Sequence, residues 1–119
     1  MSDTRPAIEP AIEPAIEPAI EDVTIAGVLT ALADPIRLTY VRALDASGAG
    51  SYCGQVLNGT NLTISKSTLS HHLKVLREAG LTHTRVEGTR RFVSLRRVEL
   101  NKRFPGLLDN VCEREAASA

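Results

Sequence analysis

The sequence predicts a single, mainly α-helical domain with a small β-hairpin, preceded by an acidic repeat tail. Apolar residues recur at helical spacing in several short segments, and two strand-like runs flank a glycine turn after the best-defined helix. The 119 residues have room for one domain, which we expect at residues 23–116, after a disordered tail at residues 1–22. The core should be aliphatic, because the chain has no Trp and only two Tyr and two Phe.

The net charge is zero, but the charges are unevenly distributed along the chain. Residues 1–34 contain one basic and seven acidic residues, a net charge of −6. Residues 60–104 contain ten basic and three acidic residues, a net charge of +7. The sequence therefore predicts a basic domain with an acidic tail, and the basic part suits a nucleic-acid partner.

The tail contains the tetrapeptide Pro-Ala-Ile-Glu four times in succession, from Pro6 to Glu21. A proline at every fourth position removes backbone donors and interrupts any helix, so we expect a flexible, partly extended segment. Two interpretations are open. The repeat is a solvated spacer, or its carboxylates compete with DNA phosphates and its Ile side chains dock on a partner.

The cysteines and the N-terminus indicate a reducing compartment. Cys53 and Cys112 form no closely spaced pair, and the acidic N-terminus lacks the basic start and apolar run of a signal peptide. The longest nearly apolar stretch, residues 23–33, is well short of the roughly 20 residues that span a membrane. We expect a cytoplasmic protein with no membrane partner.

Several short helices are predicted before the hairpin. The first carries apolar residues at helical spacing and ends at Ala33-Asp34-Pro35, where the proline opens a second helix that extends to about Asp45. A third helix is expected from about Ser51 to Leu57, and Asn58-Gly59-Thr60-Asn61 should form a turn.

The fourth helix, from about Ser65 to Ala79, has the clearest signals in the chain. Ser65 is a favoured N-cap, three leucines form a core stripe, and Gly80 follows the last helical residue. Two strands are then expected at residues 82–86 and 91–95, and Pro105 should open a last helix.

A helix, a turn and a helix in sequence predict a helix-turn-helix, whose second helix places its N-terminal residues against base edges. The fourth helix supplies short polar or basic side chains there, which we expect to contact DNA: Ser65, Lys66, Ser67, Thr68, Ser70, His71 and Lys74. The alternative is the ordinary polar face of a soluble helix. Because adjacent helical residues diverge by about 100°, one of His71 and His72 should face DNA and the other should pack. His83 should be exposed.

The hairpin carries three arginines, Arg85, Arg90 and Arg91, which suit a minor groove or a phosphate backbone beside the fourth helix. The alternative interpretation is a charged strand edge that discourages aggregation. Both the hairpin and the fourth helix carry side chains suited to DNA, and this agreement favours DNA binding.

Three runs together resemble the ArsR/SmtB winged-helix transcription regulators of bacteria: residues 32–38, residues 65–81 and Glu87-Gly88-Thr89-Arg90-Arg91. The resemblance covers about residues 25–111. It implies a homodimer that binds a near-palindromic operator and often releases it when an effector binds. The implied dimer interface lies on the first and last helices, at Ile25, Val28, Leu29, Leu107, Leu108 and Val111. The last three residues suit the core of a monomer equally.

The metal sites typical of the family are incomplete in this sequence. The third helix has Cys53 where a thiolate pair is usual, and the last helix has no His. Asp109, Cys112 and Glu113 of two chains remain a mixed site across a dimer axis, whereas Cys53 is better explained as a small buried hydrophobe. We expect no required cofactor, and an effector that is a metal, a redox signal or a partner protein.

The sequence therefore predicts a dimeric, sequence-specific transcription regulator. An alternative is a protein-interaction module or adaptor that senses through a partner protein without binding DNA. An enzyme is disfavoured, because no nucleophile, base and orienting group, and no phosphate-binding glycine loop, can be assembled.

Overall fold

The computed structural model describes residues 17–48 and 50–112. Helices form most of the described chain, and a small antiparallel sheet follows the longest of them, so the predicted class is confirmed. The elements in chain order are a 3-10 turn Ile20–Asp22, α1 Ile25–Leu32, α2 Pro35–Ala46, β1 Ser51–Tyr52, α3 Cys53–Asn58, α4 Lys66–Glu78, β2 Thr82–Glu87, β3 Arg90–Leu95, α5 Arg97–Arg103 and α6 Leu107–Val111.

Side-chain caps fix the start of the first two helices. The Thr24 hydroxyl accepts a hydrogen bond from the Gly27 amide at 3.0 Å and begins α1. The Asp34 carboxylate accepts from the amides of Ile36 and Arg37, at 2.8 and 3.1 Å, and begins α2. These bonds satisfy amides that have no partner within the helix. A capping residue ahead of each apolar stripe therefore makes α1 and α2 separate helices.

A left-handed glycine ends α4 and turns the chain toward the sheet. Gly80 has φ +91°, its amide donates to the Arg77 carbonyl at 3.1 Å, and the Leu81 amide donates to the Leu76 carbonyl at 3.0 Å. This pair of bonds is the Schellman motif. A Cβ at Gly80 would also collide with the Val23 side chain, so only glycine fits this position.

The sheet has the strand order β1-β3-β2, and both pairings are antiparallel. β2 and β3 form a hairpin in which Thr84 lies opposite Val93 and Glu87 lies opposite Arg90. The loop has two residues, and its Gly88 has φ +64°, the left-handed region that tight hairpin turns require. We call this hairpin the wing.

Three elements differ from those predicted from the sequence. Ser51 and Tyr52 pair with β3, so α3 begins at Cys53 and not at Ser51. Helix α5 was not predicted, because its start has no side-chain cap and its sequence is mostly charged. The last helix begins at Leu107 and not at Pro105, because Gly106 has φ +84°, which is incompatible with the α-helix.

One aliphatic cluster forms the core, as predicted, with Tyr40 as its one fully buried ring among the described residues. Val28 and Leu108 belong to it, and each has 0% exposed surface within a single chain. Both residues were expected at a dimer interface, and that expectation stays a prediction; within one chain their side chains pack in the core.

The end of the repeat packs on the domain, although the sequence analysis placed all of residues 1–22 in the tail. Glu17 and Pro18 contact the wing and the start of α5, and the 3-10 turn follows them. Residues 1–16 of the tail and residues 113–116 of the expected domain lie outside the described ranges. In the part of the chain that the structure describes, no helix is both long and apolar enough to cross a bilayer.

Candidate nucleic-acid interface

Helix α4 has two clearly different faces. Its leucine stripe is buried, with Leu69, Leu73 and Leu76 at 7%, 2% and 0% exposure. Most of the side chains that the sequence analysis assigned to DNA are exposed on the rest of the helix: Ser65, Lys66, Ser67, Ser70, His71 and Lys74. Thr68 is half-buried. The leucines therefore fix the helix to the core while short polar groups remain accessible from outside.

Ser65 and Thr68 shape the first turn of α4. The Ser65 hydroxyl accepts from the Thr68 amide at 3.1 Å and lies 3.0 Å from the Thr68 hydroxyl. The other amides of the first turn point out of the helix end, where the helix dipole favours a negative group. The start of α4 is thus suited to a DNA phosphate.

The two adjacent histidines of α4 are in different environments, as expected from their angular separation. His71 is exposed, whereas His72 is 8% exposed and its Nδ1 lies 3.1 Å from Arg37 Nη1. Because a guanidinium only donates, His72 Nδ1 is the acceptor and a neutral ring carries its proton on Nε2. Burial lowers the pKa of His72, and the nearby Arg37 acts in the same direction, while Asp34 opposes them.

Arg85 is held on the wing by a carboxylate and an aromatic ring. Its guanidinium lies 2.6 Å from a Glu87 carboxylate oxygen, and its centre is 4.7 Å from the centroid of the Phe92 ring. Arg85 therefore already has partners within the chain, unlike a freely solvated arginine. These contacts were not predicted from the sequence.

Arg90 stacks on Tyr52, with its guanidinium 3.6 Å from the ring centroid. The Tyr52 hydroxyl donates to Glu87 at 2.8 Å, and this bond lowers the pKa of Glu87 and raises the pKa of Tyr52. The Tyr52 ring also meets Phe92 edge to face at 5.4 Å. Tyr52, Glu87 and Phe92 thus position the wing arginines. Phe92 directly follows Arg91 and was the available local signal, whereas Tyr52 lies far from the arginines in the sequence.

A groove of about 760 Å³ runs between α3, α4 and the wing. Lys66 and Ser70 of α4 line one side of it, and Arg90 and Arg91 of the wing line the other. Apolar side chains line much of the rest: Leu57, Ile64, Leu69, Leu73 and Val86. Within residues 17–48 and 50–112, none of Lys66, Arg90 and Arg91 forms an ion pair with a carboxylate. The fold therefore brings four of the ten predicted DNA-binding residues to one concave, basic surface, and the other six do not line it: Ser65, Ser67, Thr68, His71, Lys74 and Arg85.

The candidate metal ligands are not brought together within one chain. Among the described residues, no group of three or more His, Cys, Asp or Glu side chains has the arrangement of a metal site. Asp109 lies 3.1 Å from Arg97, Cys112 is half-buried, and Glu113 falls outside the described ranges. Cys53 packs partly buried against the core, in keeping with a small hydrophobe.

His83 is not simply exposed, as the sequence analysis expected. Its side chain is 47% exposed, but Nδ1 lies 2.6 Å from Glu17 and Nε2 lies 3.3 Å from Glu99. The expectation failed because both partners are distant in sequence or assigned to the tail. His83 is one of the groups that bind the end of the repeat to the domain.

Helix α1 presents apolar surface to the outside. Ile25 and Leu29 are 44% and 48% exposed on α1, one turn apart. Leu107 and Val111 of α6 are partly buried and pack against the core. Four of the six residues expected at a dimer interface therefore retain accessible surface.

Comparisons with known proteins agree with this geometry. A family model described as a helix-turn-helix domain matches residues 32–85. The chain is 42% identical over 86 residues to YceK, an uncharacterised HTH-type transcriptional regulator of Bacillus subtilis (strain 168), covering 72% of this chain and 84% of that protein. A second uncharacterised HTH-type regulator, from Methanocaldococcus jannaschii, is 34% identical over 67 residues, which is 56% of this chain and 72% of that protein.

The fold has a counterpart among solved structures. The crystal structure of an ArsR family transcriptional regulator superposes with a TM-score of 0.57 at 17% sequence identity, covering 80% of this chain and 97% of the other. At this low sequence identity the solved structure shows the fold alone, and the two sequence relatives show the family. The chain therefore belongs to the helix-turn-helix transcriptional regulators and has the ArsR-like winged helix-turn-helix fold.

Proposed function

We propose that the protein binds a near-palindromic operator as a homodimer, with α4 in the major groove and the wing against the neighbouring backbone or minor groove. The observation that carries this proposal is the shared groove. Lys66 and Ser70 line it from α4, and Arg90 and Arg91 line it from the wing. A duplex placed against the start of α4 is then within reach of the wing arginines.

The exposed face of α4 supplies the base contacts in this proposal. Ser70, His71 and Lys74 lie within the first three turns and are exposed. Their hydroxyl, imidazole and ammonium groups match the donors and acceptors that base edges present in the major groove. Because the leucine stripe fixes the backbone of α4, the short side chains of Ser70 and His71 are held in a defined position, which is what discrimination between bases requires.

The wing supplies phosphate contacts. Arginine forms paired hydrogen bonds with phosphate oxygens, and such contacts add affinity without selecting a sequence. The Tyr52 ring holds Arg90 against the wing, so its side chain loses less conformational entropy on binding than a free arginine would. Arg91 lines the groove on the same strand.

A second copy completes the site. One short helix and one wing contact few base pairs, and two-fold symmetry doubles the contacts. We place the dimer interface on α1 and α6, at Ile25, Leu29, Leu107 and Val111, because Ile25 and Leu29 are exposed apolar side chains one turn apart. The two recognition helices would then meet half-sites about one helical turn, roughly 34 Å, apart.

The experiment is a selection of duplexes from a randomised library by the full chain, followed by fluorescence anisotropy at several salt concentrations. The proposal predicts an inverted repeat, two chains per duplex, and an affinity whose logarithm falls linearly with the logarithm of the salt concentration. An affinity that is independent of both DNA sequence and salt concentration would refute it.

The dimer is tested with an interface variant and a matched surface variant. Leu29→Glu should give a folded monomer with weak operator binding, because the charge would be buried against a second copy. Val98→Glu, on α5 where Val98 is 69% exposed, should remain a dimer. Sedimentation velocity measures both, and a dimeric, operator-binding Leu29→Glu protein would exclude this interface.

A further inference from the structure

The third Glu of the repeat, Glu17, is bound to the edge of the wing. Glu17 Oε1 lies 2.6 Å from His83 Nδ1, and Glu17 Oε2 accepts a hydrogen bond from the Thr84 amide at 2.9 Å. The next residue, Pro18, accepts through its carbonyl from Arg96, whose side chain is 3% exposed. Because β2 is an edge strand, the chain that precedes Glu17 starts beside the wing.

The groove lies a short distance from this anchor. Val86 lines the groove and follows Thr84 by two residues on β2, a distance of about 7 Å along a strand. Residues 6–16 are eleven residues long and extend up to about 36 Å. The repeat segment, defined here as residues 6–16, is therefore long enough to follow the groove from the wing to α4.

The chemistry of the repeat segment matches the groove. Each Glu directly follows an Ile, as in Ile8-Glu9 and Ile12-Glu13, so one acidic and one apolar side chain recur every four residues. The groove is complementary, because it has an apolar lining and three cationic side chains, Lys66, Arg90 and Arg91. Within the described ranges these three side chains form no ion pair with a carboxylate.

The prolines of the repeat reduce the entropic cost of docking. Each Glu of the segment precedes a proline, which disfavours the helical region for that Glu and favours an extended backbone. An extended strand of chain is the shape that a groove between a helix and a hairpin accepts. Tethering at Glu17 adds an effective concentration in the mM range, so weak contacts are sufficient for occupancy.

We propose that the repeat segment occupies the groove between α4 and the wing and competes there with DNA phosphates, as an autoinhibitory contact. Glu9 and Glu13 pair with the groove cations, and the neighbouring Ile side chains cover its apolar lining. DNA must displace the segment before α4 and the wing engage together. This inference rests on the proposed function, because it takes the groove to be the DNA-binding surface.

The first test changes the carboxylates of the segment and keeps every Pro and Ile. The full chain carrying Glu9→Gln and Glu13→Gln should bind the selected duplex about tenfold more tightly than the unaltered chain, because the mM competitor is weakened. The slope of log affinity against log salt should also become steeper by one to two, roughly the number of cations freed for phosphates.

The matched control removes two charges outside the segment. Glu21→Gln with Asp22→Asn changes two exposed residues of the 3-10 turn, and its affinity should stay within about twofold of the unaltered chain, since long-range repulsion is screened at physiological salt. Equal tightening by both pairs of substitutions would overturn the proposal in favour of a general charge effect. No tightening by the first pair would overturn it as well.

The second test does not depend on DNA affinity. The full chain with the photo-crosslinker p-benzoyl-phenylalanine at position 12 should crosslink to peptides of α4 and the wing, and the selected duplex should suppress these crosslinks. Crosslinks confined to other parts of the domain would refute the docking site. A chain that crosslinks in the groove but selects no DNA sequence would instead refute the proposed function alone.

Discussion

Helix α4 and the wing form the two sides of one groove, but different interactions hold them in place. Three leucines and His72 anchor α4 in the core, and the helix is capped at one end by Ser65. The arginines of the wing are positioned by contacts at the surface, Arg85 with Glu87 and Arg90 with Tyr52. The core therefore fixes α4, whereas side-chain contacts at the surface position the wing arginines.

In the proposed function, this difference separates the two tasks of a DNA-binding protein. Base recognition requires polar groups at fixed positions, and a helix packed on a core provides them. Phosphate contacts tolerate more movement, and cations on a hairpin provide them. Substitutions in the anchor of α4 should therefore change the stability of the whole domain, and substitutions at the wing should change DNA affinity with little effect on stability.

Leu76→Ala breaks the anchor of α4 and should have the largest effect on stability. Leu76 has 0% exposure, and truncating such a leucine costs about 3 kcal/mol of unfolding free energy because a cavity remains. Urea denaturation measures this loss of unfolding free energy. Val98→Ala is the control, since Val98 is 69% exposed and should change stability by less than about 0.5 kcal/mol. Equal effects would contradict the assignment of α4 to the core.

Ser65→Ala removes the N-cap of α4. We expect a loss of about 1 kcal/mol of unfolding free energy, because the Thr68 amide loses its acceptor. Ser70→Ala, on the exposed face, should leave the urea midpoint nearly unchanged. If the two variants were equally stable, the first turn of α4 would not depend on its cap.

His72 should make stability depend on pH. Burial lowers the pKa of folded His72 below its ordinary 6.5, so the unfolded chain binds a proton before the folded chain does. The contribution of neutral His72 to the free energy of unfolding is fully present above about pH 6.5. It declines as the pH falls toward the lowered pKa of the folded state. His72→Asn should reduce the decline between about pH 6.5 and 5, a range above the usual pKa of carboxylates. His71→Asn should retain it, and the reverse pattern would contradict the burial of His72.

Tyr52 tests the wing without disturbing the core. Tyr52→Phe keeps the ring beneath Arg90 and removes the hydrogen bond to Glu87, so DNA affinity should change by less than about twofold. Tyr52→Ala removes the ring as well and should lower the affinity about threefold. Fluorescence anisotropy measures both. Equal affinities of Tyr52→Phe and Tyr52→Ala would show that the stacking is unimportant.

Local sequence signals were sufficient for α1, α2 and α4. Thr24 and Asp34 cap the first two helices, Gly80 ends α4, and the leucine stripe identifies its buried face, all from residues within a few positions of one another. The glycine between two strand-like runs located the hairpin, although the strands extend to Glu87 and Arg90 and the loop is shorter than expected. These features depend on neighbours in sequence.

The features that the sequence did not reveal depend on contacts between distant residues. Ser51 and Tyr52 become a strand because β3 lies beside them, and Tyr52 positions Arg90 across the sheet. Glu17 binds His83, which is 66 positions away. The family resemblance implied Val28 at a dimer interface, and only the packing shows that it is buried within one chain.

The division between α4 and the wing is tested most directly by the DNA affinities of two variants, Ser70→Ala and Arg90→Ala. Each is measured on the selected duplex and on a scrambled duplex, at several salt concentrations. We predict that Ser70→Ala lowers affinity for the selected duplex about tenfold and leaves the scrambled duplex unaffected, since it removes a base contact. Arg90→Ala should weaken both duplexes equally and make the salt slope shallower by about one, since it removes a phosphate contact. Equal loss on both duplexes from Ser70→Ala, or a loss confined to the selected duplex from Arg90→Ala, would contradict this division.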